Sequence, residues 1–247
     1  MAAEPPTLTA DGFVARLYQH QSDAELEKIQ RYFKTGKGQY AEGDTFIGVR
    51  MGEVFALAKE HIDMHVAEIE RLLDSDIHEA RAGAMSIMDK QGRRKKTPEE
   101  GRKAIYDLYL RRHDRINNWD LVDLGAPFVV GRYLIDKQRD PLYELARSSD
   151  LWERRTAIVA SSYFLRQGEL DDTFAIAELL LHDSHDLIHK PVGGWLREAG
   201  KHDRDRLIAF LDTHAATMPR TALRYALEHF ERADRDHYLG RNDASRR

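Results

Sequence analysis

SDIHEARAGAM (75–85) has two partial copies later in the chain, SDLWERRTAIV (149–159) and HDLIHKPVGGW (185–195). An aspartate stands near the start of each copy, at Asp76, Asp150 and Asp186. The gaps of 74 and 36 residues between these aspartates both fit a period of about 37 residues. LDTHAATMPRTALRYAL, which begins at Leu211, is a further degenerate copy. A period of this length is typical of stacked helix pairs of the HEAT type.

The repeat also predicts the local structure of each copy. An aspartate directly before a helix caps its first free amides, and we expect this role of the three repeat aspartates. Arg81 and Arg155 follow the aspartates of their copies by five residues and project from one face of the helix. Stacking then aligns these faces, which predicts an all-α, right-handed solenoid of HEAT-like helical repeats with a concave basic surface. The alternative is that both arginines are solvated surface residues.

Hydrophobic patterning agrees with a helical chain. Apolar residues recur at spacings of three and four nearly throughout, and strict apolar/polar alternation is almost absent. TPEE at 97–100 predicts a helix from 98 to 112, with Thr97 as N-cap, Pro98 at the first position and Glu100 closing a capping box. For the chain as a whole we predict a disordered N-terminal segment (1–8), a single domain (9–239) and a flexible tail (240–247).

The composition excludes several classes of protein. The 247 residues contain no cysteine, which excludes disulfides, thiolate metal sites and cysteine nucleophiles. Mean hydropathy is −0.62 and no apolar run approaches the roughly 18 residues of a membrane span, so we expect no membrane association. The start of the chain shows no secretory signal pattern, which predicts a cytoplasmic protein. Because the formal net charge is −4, an anionic partner must meet a segregated basic face.

The 12 histidines invite a metal-site interpretation that their spacing does not support. His61 and His65 lack the glutamate of an HExxH motif, and His182, His185 and His189 straddle a predicted helix start. Neither set has a carboxylate partner at a ligand spacing. We therefore expect no bound metal.

A denser cluster of candidate functional residues lies in INNWDLVDLGAP (116–127). If Trp119 lies in the first turn of a helix, Asp123 lies four residues later on the same face. This pairing suits a cationic target, because a carboxylate stabilises developing positive charge and an aromatic face attracts cations. The alternative is that Trp119 belongs to the core and that Asp123 is a capping or surface residue.

Five blocks of the sequence match a known family: RYFK (31–34), FIGVR (46–50), NNWDLVD (117–123), WERRTAIVA (152–160) and the long block at 188–230. Through them the chain resembles the AlkD-like DNA alkylation-repair glycosylases, which are HEAT-like-repeat proteins. The resemblance implies excision of cationic N3- or N7-alkylated purines from duplex DNA, without base flipping and with neither a metal nor an organic cofactor. We expect a monomer that acts at the nucleoid.

The resemblance also assigns roles to single residues. The family's catalytic aspartate matches Asp123, its sugar-packing aromatic matches Trp119, and its phosphate-holding arginine matches Arg155. An alkylated purine is already a good leaving group, so Asp123 mainly has to stabilise an oxocarbenium-like sugar and position a water.

Further candidate DNA-binding residues are Tyr32, Lys34, Lys190, Trp195, Arg197, Lys201 and Arg220. The basic side chains among them would neutralise phosphates without reading the base sequence. For each of these side chains the alternative is a solvated surface role, and for Tyr32 it is a core position.

One block departs from the family pattern. The family places a second sugar-contacting tryptophan directly after VG, whereas this chain reads VGGWLRE, with Gly194 at that place and Trp195 one residue later. One residue along a helix turns a side chain by about 100°. Trp195 therefore either contacts the lesion or packs between repeats. Two alternatives follow: a non-catalytic HEAT-repeat module that binds DNA or protein, and a glycosylase specialised for bulky natural-product adducts.

Overall fold

The computed structural model describes residues 8–244, in which all regular elements are helical and no strand occurs. The predicted all-α fold is confirmed. The chain divides between Tyr133 and Leu134 into two compact units. The helices before this boundary are α1 (Ala10–Gln19), α2 (Asp23–Phe33), α3 (Met51–Glu60), α4 (Val66–Leu73), α5 (His78–Arg93), α6 (Glu99–Arg111) and α7 (Trp119–Gly125), and the short α8 (Arg132–Leu134) includes it. A 3₁₀ turn (His113–Arg115) precedes α7, and a π-helical segment (Ala126–Gly131) joins α7 to α8.

The second unit contains the remaining helices of the described chain: α9 (Asp140–Ala146), α10 (Leu151–Ala160), α11 (Ser162–Leu165), α12 (Asp171–Leu179), α13 (Asp186–His202), α14 (Arg204–His214), α15 (Arg220–Ala226) and α16 (Arg232–Ala244). The single domain predicted for 9–239 stays a prediction. Helical repeats contact mainly their neighbours, so the packing of such a chain is not centred on one core. Of the predicted disordered segment 1–8, only Leu8 lies within the described residues.

In the first unit, α5 is buried on almost every side. All of its residues from His78 to Asp89 are buried, and it packs against α1, α3, α4, α6 and α7. Alanines and a glycine line much of the helix, so neighbouring helices approach it closely. A Cβ atom on Gly83 would lie 2.4 Å from the ring of Phe13 in α1. The repeat segment at 75–85 therefore leads into the central helix of this unit.

In the second unit, α13 packs against α10, α12, α14 and α15. Gly193 permits the close approach of α15, because a Cβ atom at this position would lie 2.2 Å from the carbonyl oxygen of Ala222 and 2.6 Å from Cβ of Tyr225. Gly194 has nothing within 4 Å of its Cβ position. The two glycines of VGGW thus differ in role, since the first is a packing requirement and the second borders open space.

The two glycines allow a matched test of this packing. We expect Gly193→Ala to lower the free energy of unfolding by about 1–3 kcal/mol, because the new methyl group overlaps the backbone of α15. We expect Gly194→Ala to raise it by up to about 1 kcal/mol, because alanine favours a helix interior more than glycine does. Urea unfolding of both variants measures the difference. Equal stabilities for the two variants would contradict this account of the α13–α15 contact.

Capping by the repeat aspartates is confirmed at α10. The carboxylate of Asp150 accepts hydrogen bonds from the amides of Trp152 and Glu153, in the first turn of this helix, at 2.8 and 3.0 Å. At α13 the cap is His185, whose Nδ1 accepts from the amide of Leu187. Asp186 is the first residue inside that helix. The capping prediction for Asp186 is therefore wrong by one position.

At α5 the capping prediction for Asp76 is wrong. Its carboxylate is exposed, and the amide of Ile77 is bonded instead to the hydroxyl oxygen of Ser75 at 3.1 Å. The amide of His78, the first helical residue, donates to the carbonyl of Thr45 at 2.8 Å. The loop between α2 and α3, which contains Thr45, thus satisfies an amide that Asp76 was expected to cap.

The helix predicted for 98–112 is confirmed as α6, one residue shorter at each end. Its predicted cap is wrong, since no side chain caps the helix at Pro98. Thr97 is buried, and its hydroxyl donates to the carbonyl of Gln91 at 2.7 Å. The hydroxyl therefore satisfies the end of α5 rather than the start of α6.

The C-terminal helix extends past the predicted domain end at 239. α16 continues to Ala244, and the side chain of Asn242 is fully buried. Its amide donates to the carbonyls of Ala215 and Met218 at 2.8 and 2.9 Å. These bonds tie Asn242 of α16 to the segment that follows α14, and the flexible tail predicted for 240–247 stays a prediction. The rest of that tail, 245–247, lies outside the described residues.

Candidate functional site

A cavity of about 680 Å³ lies between α2, α3 and α7 in the first unit. Aromatic and aliphatic side chains form most of its wall, together with two carboxylates and one ammonium group. The lining residues are Lys28, Ile29, Tyr32 and Phe33 of α2, Met51 and Phe55 of α3, and Trp119, Asp120, Asp123 and Leu124 of α7. Spacings of three and four residues place these side chains on one face of each helix.

The indole ring of Trp119 is held by three aromatic side chains. It stacks on Phe33 at a centroid distance of 5.6 Å and meets Tyr32 edge-to-face at 5.8 Å. Its Nε1 donates to the hydroxyl of Tyr40 at 3.1 Å. Trp119 therefore packs on a small core around Phe33 and also lines the cavity, so the two interpretations of this residue are compatible.

Asp123 lies one helical turn after Trp119, is exposed and lines the same cavity. Tyr32 joins them from α2 with 65% of its surface exposed, so the alternative of a core position for Tyr32 is wrong. The structure thus brings Tyr32, which comes from the RYFK block, to the cavity lined by Trp119 and Asp123, the pair predicted to share one helix face.

Asp120 is a second carboxylate of the cavity that the sequence analysis missed. It is only 8% exposed, and its Oδ2 lies 2.7 Å from Nε2 of His78, at the start of α5. The imidazole ring is fully buried between Phe33 and Phe46, at centroid distances of 5.0 and 4.6 Å. Within residues 8–244, Asp120 Oδ1 and His78 Nδ1 are buried without a hydrogen-bond partner. The spacing of three residues from Asp123 was the available signal for Asp120.

A buried ion pair between Arg81 and Asp44 contacts the residues that precede α7. Arg81 of α5 donates to Asp44 at 2.7 Å and to Asn117 at 2.6 Å, and Asn118 donates to the same aspartate at 3.0 Å. Arg81 is 3% exposed, so the alternative of a solvated surface residue is wrong. A buried guanidinium needs a charged partner, and here that partner is Asp44. The ion pair thus holds the loop before α3 against the residues that precede Trp119.

The charges around the cavity favour a cationic ligand. Lys28 is paired with Glu25 at 2.9 Å, and Arg50 binds the same carboxylate at 2.7 Å. Hydrogen bonds from Arg50, and then from Lys28, lower the pKa of Glu25 to about 2, so Glu25 is ionised at neutral pH. Glu25 is thus shared between Lys28 and Arg50, while Asp120 and Asp123 are the two carboxylates of a mostly apolar wall. Such walls strengthen the attraction between a carboxylate and a cation.

The second unit contains the predicted phosphate-holding residue. Arg155 in α10 is 7% exposed, and its Nη1 donates to the carbonyl of Leu187 in α13. This bond joins two neighbouring helices of the unit, so the alternative of a solvated surface role is wrong for Arg155. Of the remaining candidates outside this unit, Lys34 ends α2 in the left-handed conformation, at φ 53°, and is exposed.

Most basic candidates of the C-terminal block have acidic partners. Lys190 lies 3.0 Å from Asp186 and Lys201 lies 2.8 Å from Glu198, while Arg197 pairs with Glu198 and Glu228. Arg220 is half-buried at the start of α15. Trp195 is also half-buried. A positively charged surface in this unit therefore requires basic side chains that outnumber the acidic side chains around them.

The histidines singled out in the sequence have local roles. His61 Nδ1 lies 2.9 Å from the carbonyl of Leu57, whereas His65 and His185 each cap a helix. Among residues 8–244, no three histidine, aspartate or glutamate side chains are grouped so that they could hold a metal ion. No helix in the same range is both long and apolar enough to cross a bilayer.

Comparison with known proteins gives a fold match and a family match. The fold is similar to the solved structure of a predicted DNA alkylation repair enzyme from Enterococcus faecalis, with a TM-score of 0.65 and 16% identity over 86% of this chain and 98% of that one. No curated protein sequence matches the chain. The family model described as DNA alkylation repair enzyme matches residues 13–230, so the chain belongs to the DNA alkylation repair enzyme family.

Proposed function

We propose that this protein is a DNA glycosylase that hydrolyses the N-glycosidic bond of cationic N3- or N7-alkylated purines in duplex DNA. The observation that carries the proposal is the cavity in which Asp123 lies one turn from the aromatic face of Trp119. A carboxylate beside an aromatic wall suits a positively charged substrate and a positively charged transition state. Because the chain belongs to a DNA alkylation repair family, we take DNA as the polymer on which it acts.

In the proposed reaction the bond between C1′ and the purine nitrogen breaks. Its electron pair leaves with the purine, which neutralises the charge on the alkylated base. Asp123 stabilises the oxocarbenium-like sugar and orients a water molecule, whose oxygen bonds to C1′ while its proton passes to the carboxylate and then to solvent. Trp119, fixed by Phe33 and Tyr40, packs on the sugar. The lesion stays unflipped in this proposal.

The DNA backbone is held by residues that do not read the base sequence. We assign Arg155 to the phosphate beside the lesion, and Tyr32 and Lys34 to the edge of the cavity. Further backbone contacts fall to Lys190, Trp195, Arg197, Lys201 and Arg220. The right-handed concave surface, the nucleoid location and the monomeric state stay predictions.

A specialised glycosylase for bulky adducts is the second candidate function. Two observations favour it: the apolar cavity of about 680 Å³ exceeds what a methyl group needs, and the Cβ position of Gly194 borders open space. In this candidate function, the cavity or the space beside Gly194 accommodates the larger substituent.

Release of free base from four duplexes tests and separates these functions. The duplexes carry 7-methylguanine, 3-methyladenine, a bulky cationic N3-adenine adduct or no lesion. A general glycosylase releases both methylated bases, and a specialised one releases only the bulky adduct. Binding without any release supports the non-catalytic module instead. Gly194→Trp is the matched variant, because it restores the tryptophan of the family pattern where a side chain has space.

A further inference from the structure

A second, polar pocket lies in the C-terminal unit. It has a volume of about 550 Å³ and lies between α13, α15 and α16. Its lining residues are Asp186, Lys190, Thr221, Arg224, Tyr225, Glu228 and Arg235. In contrast to the apolar cavity beside Trp119, every lining side chain here carries a charge or a hydroxyl group.

Both acidic residues of this pocket are already engaged. Asp186 binds Lys190 at 3.0 Å. Burial alone would raise the pKa of Asp186, but hydrogen bonds from Lys190 and Thr221 outweigh burial and lower it. Glu228 is paired with Arg197 of α13. The negative charge of the pocket is therefore balanced within the protein.

Two arginines of the pocket have no such balance. Arg224 on α15 and Arg235 on α16 are exposed, and within residues 8–244 neither guanidinium has an ion pair or a hydrogen bond. The pocket thus carries two uncompensated guanidinium groups on neighbouring helices. Tyr225, adjacent to Arg224 and 39% exposed, adds a hydroxyl group.

The position of Arg224 and Tyr225 is set by the backbone. The absence of a Cβ atom at Gly193 lets α15 lie directly on α13, with Tyr225 at the contact. A pocket built on closely packed helices holds its donors in place better than one built on loops. Guanidinium groups donate paired hydrogen bonds to the oxygens of a phosphate group, so two arginines that line one pocket suit this ligand.

We propose that Arg224 and Arg235 together bind one phosphate group, and that this is a backbone phosphodiester of duplex DNA. The choice of DNA as the source rests on the proposed function. The pocket itself defines only the phosphate chemistry, so a free phosphate or a phosphomonoester is the competing source. None of its lining residues belongs to the cavity at α7.

The salt dependence of binding to an undamaged duplex tests this proposal without requiring catalysis. Losing one phosphate contact lowers the slope of log affinity against log salt by about 1. We expect this decrease for the double variant Arg224→Gln/Arg235→Gln. Each single variant should give most of it, because both arginines hold the same phosphate. Arg232→Gln is the matched control: it removes one charge from α16, is 96% exposed and does not line the pocket.

An unchanged slope in the double variant, or an equal decrease in Arg232→Gln, overturns the proposal. Thermal unfolding in inorganic phosphate, compared with chloride at equal ionic strength, separates the two sources. Phosphate-specific stabilisation of the wild type that disappears in the double variant, with an unchanged DNA slope, assigns the pocket to free phosphate and overturns the backbone assignment. If the wild type released no base from damaged DNA but the salt dependence changed as expected, the proposed function would be refuted and this phosphate site would remain supported.

Discussion

Replacing Asp123 by asparagine is expected to lower the single-turnover rate of base release by about 10²–10³-fold, the usual effect of removing one electrostatic stabiliser of a transition state. Asparagine has nearly the same shape, but it lacks the negative charge that would stabilise the sugar cation. Affinity for the lesion-containing duplex should change by less than about twofold, because the lost interaction forms mainly in the transition state. Rapid-quench assays give the rate, and fluorescence anisotropy gives the affinity.

Asp76→Asn is the matched control for this prediction. Asp76 is an exposed carboxylate of the same unit that does not line the cavity, so its replacement removes the same charge from elsewhere. Base release by Asp76→Asn should equal that of the wild type. If Asp123→Asn weakened binding and release in parallel, or affected neither, the role assigned to Asp123 would be wrong.

The second large effect is expected on stability. Arg81→Met should lower the free energy of unfolding by about 3–5 kcal/mol, because the carboxylate of Asp44 then stays buried without its charged partner. The two side chains lie 2.7 Å apart and are 4% and 5% exposed. Chemical denaturation measures this loss, with the same dependence of unfolding free energy on denaturant concentration used for both proteins.

An exposed ion pair provides the comparison. Arg16 pairs with Glu60 at the surface, and Arg16→Met should cost less than about 1 kcal/mol. In the double variant Asp44→Asn/Arg81→Met, part of the lost stability should return, because no unpaired charge remains buried. A loss of under 1 kcal/mol in Arg81→Met would show that this pair does not hold the loop to α7.

Local sequence signals predicted much of the fold. The spacing of apolar residues led to an all-helical chain, and the TPEE segment located α6 to within one residue at each end. Asp150 caps α10, where its carboxylate accepts hydrogen bonds from the amides of Trp152 and Glu153. The same motif failed at Asp76, where the carbonyl of Thr45 and the hydroxyl of Ser75 satisfy amides at the start of α5. A cap prediction cannot include such partners from a distant loop.

The candidate site was predictable to the same extent. Trp119 and Asp123 are four residues apart on one helix, so their shared face follows from helical geometry. The contact between Asp120 and His78 joins residues 42 positions apart, and that between Arg81 and Asp44 joins residues 37 apart. No local pattern encodes either contact. The aromatic wall from Phe55 likewise depends on how α3 lies against α5.

The central claim is that the protein cleaves the glycosidic bond rather than removing the alkyl group. Mass spectrometry of a duplex with one 7-methylguanine or 3-methyladenine, incubated with excess protein, tests it most directly. We predict that the damaged strand exchanges the whole alkylated base for a hydroxyl group, so that its mass falls by that of the free base less one water, and that this base appears in solution with its methyl group attached. A strand that loses only the methyl group, with the purine still in place, would contradict the account.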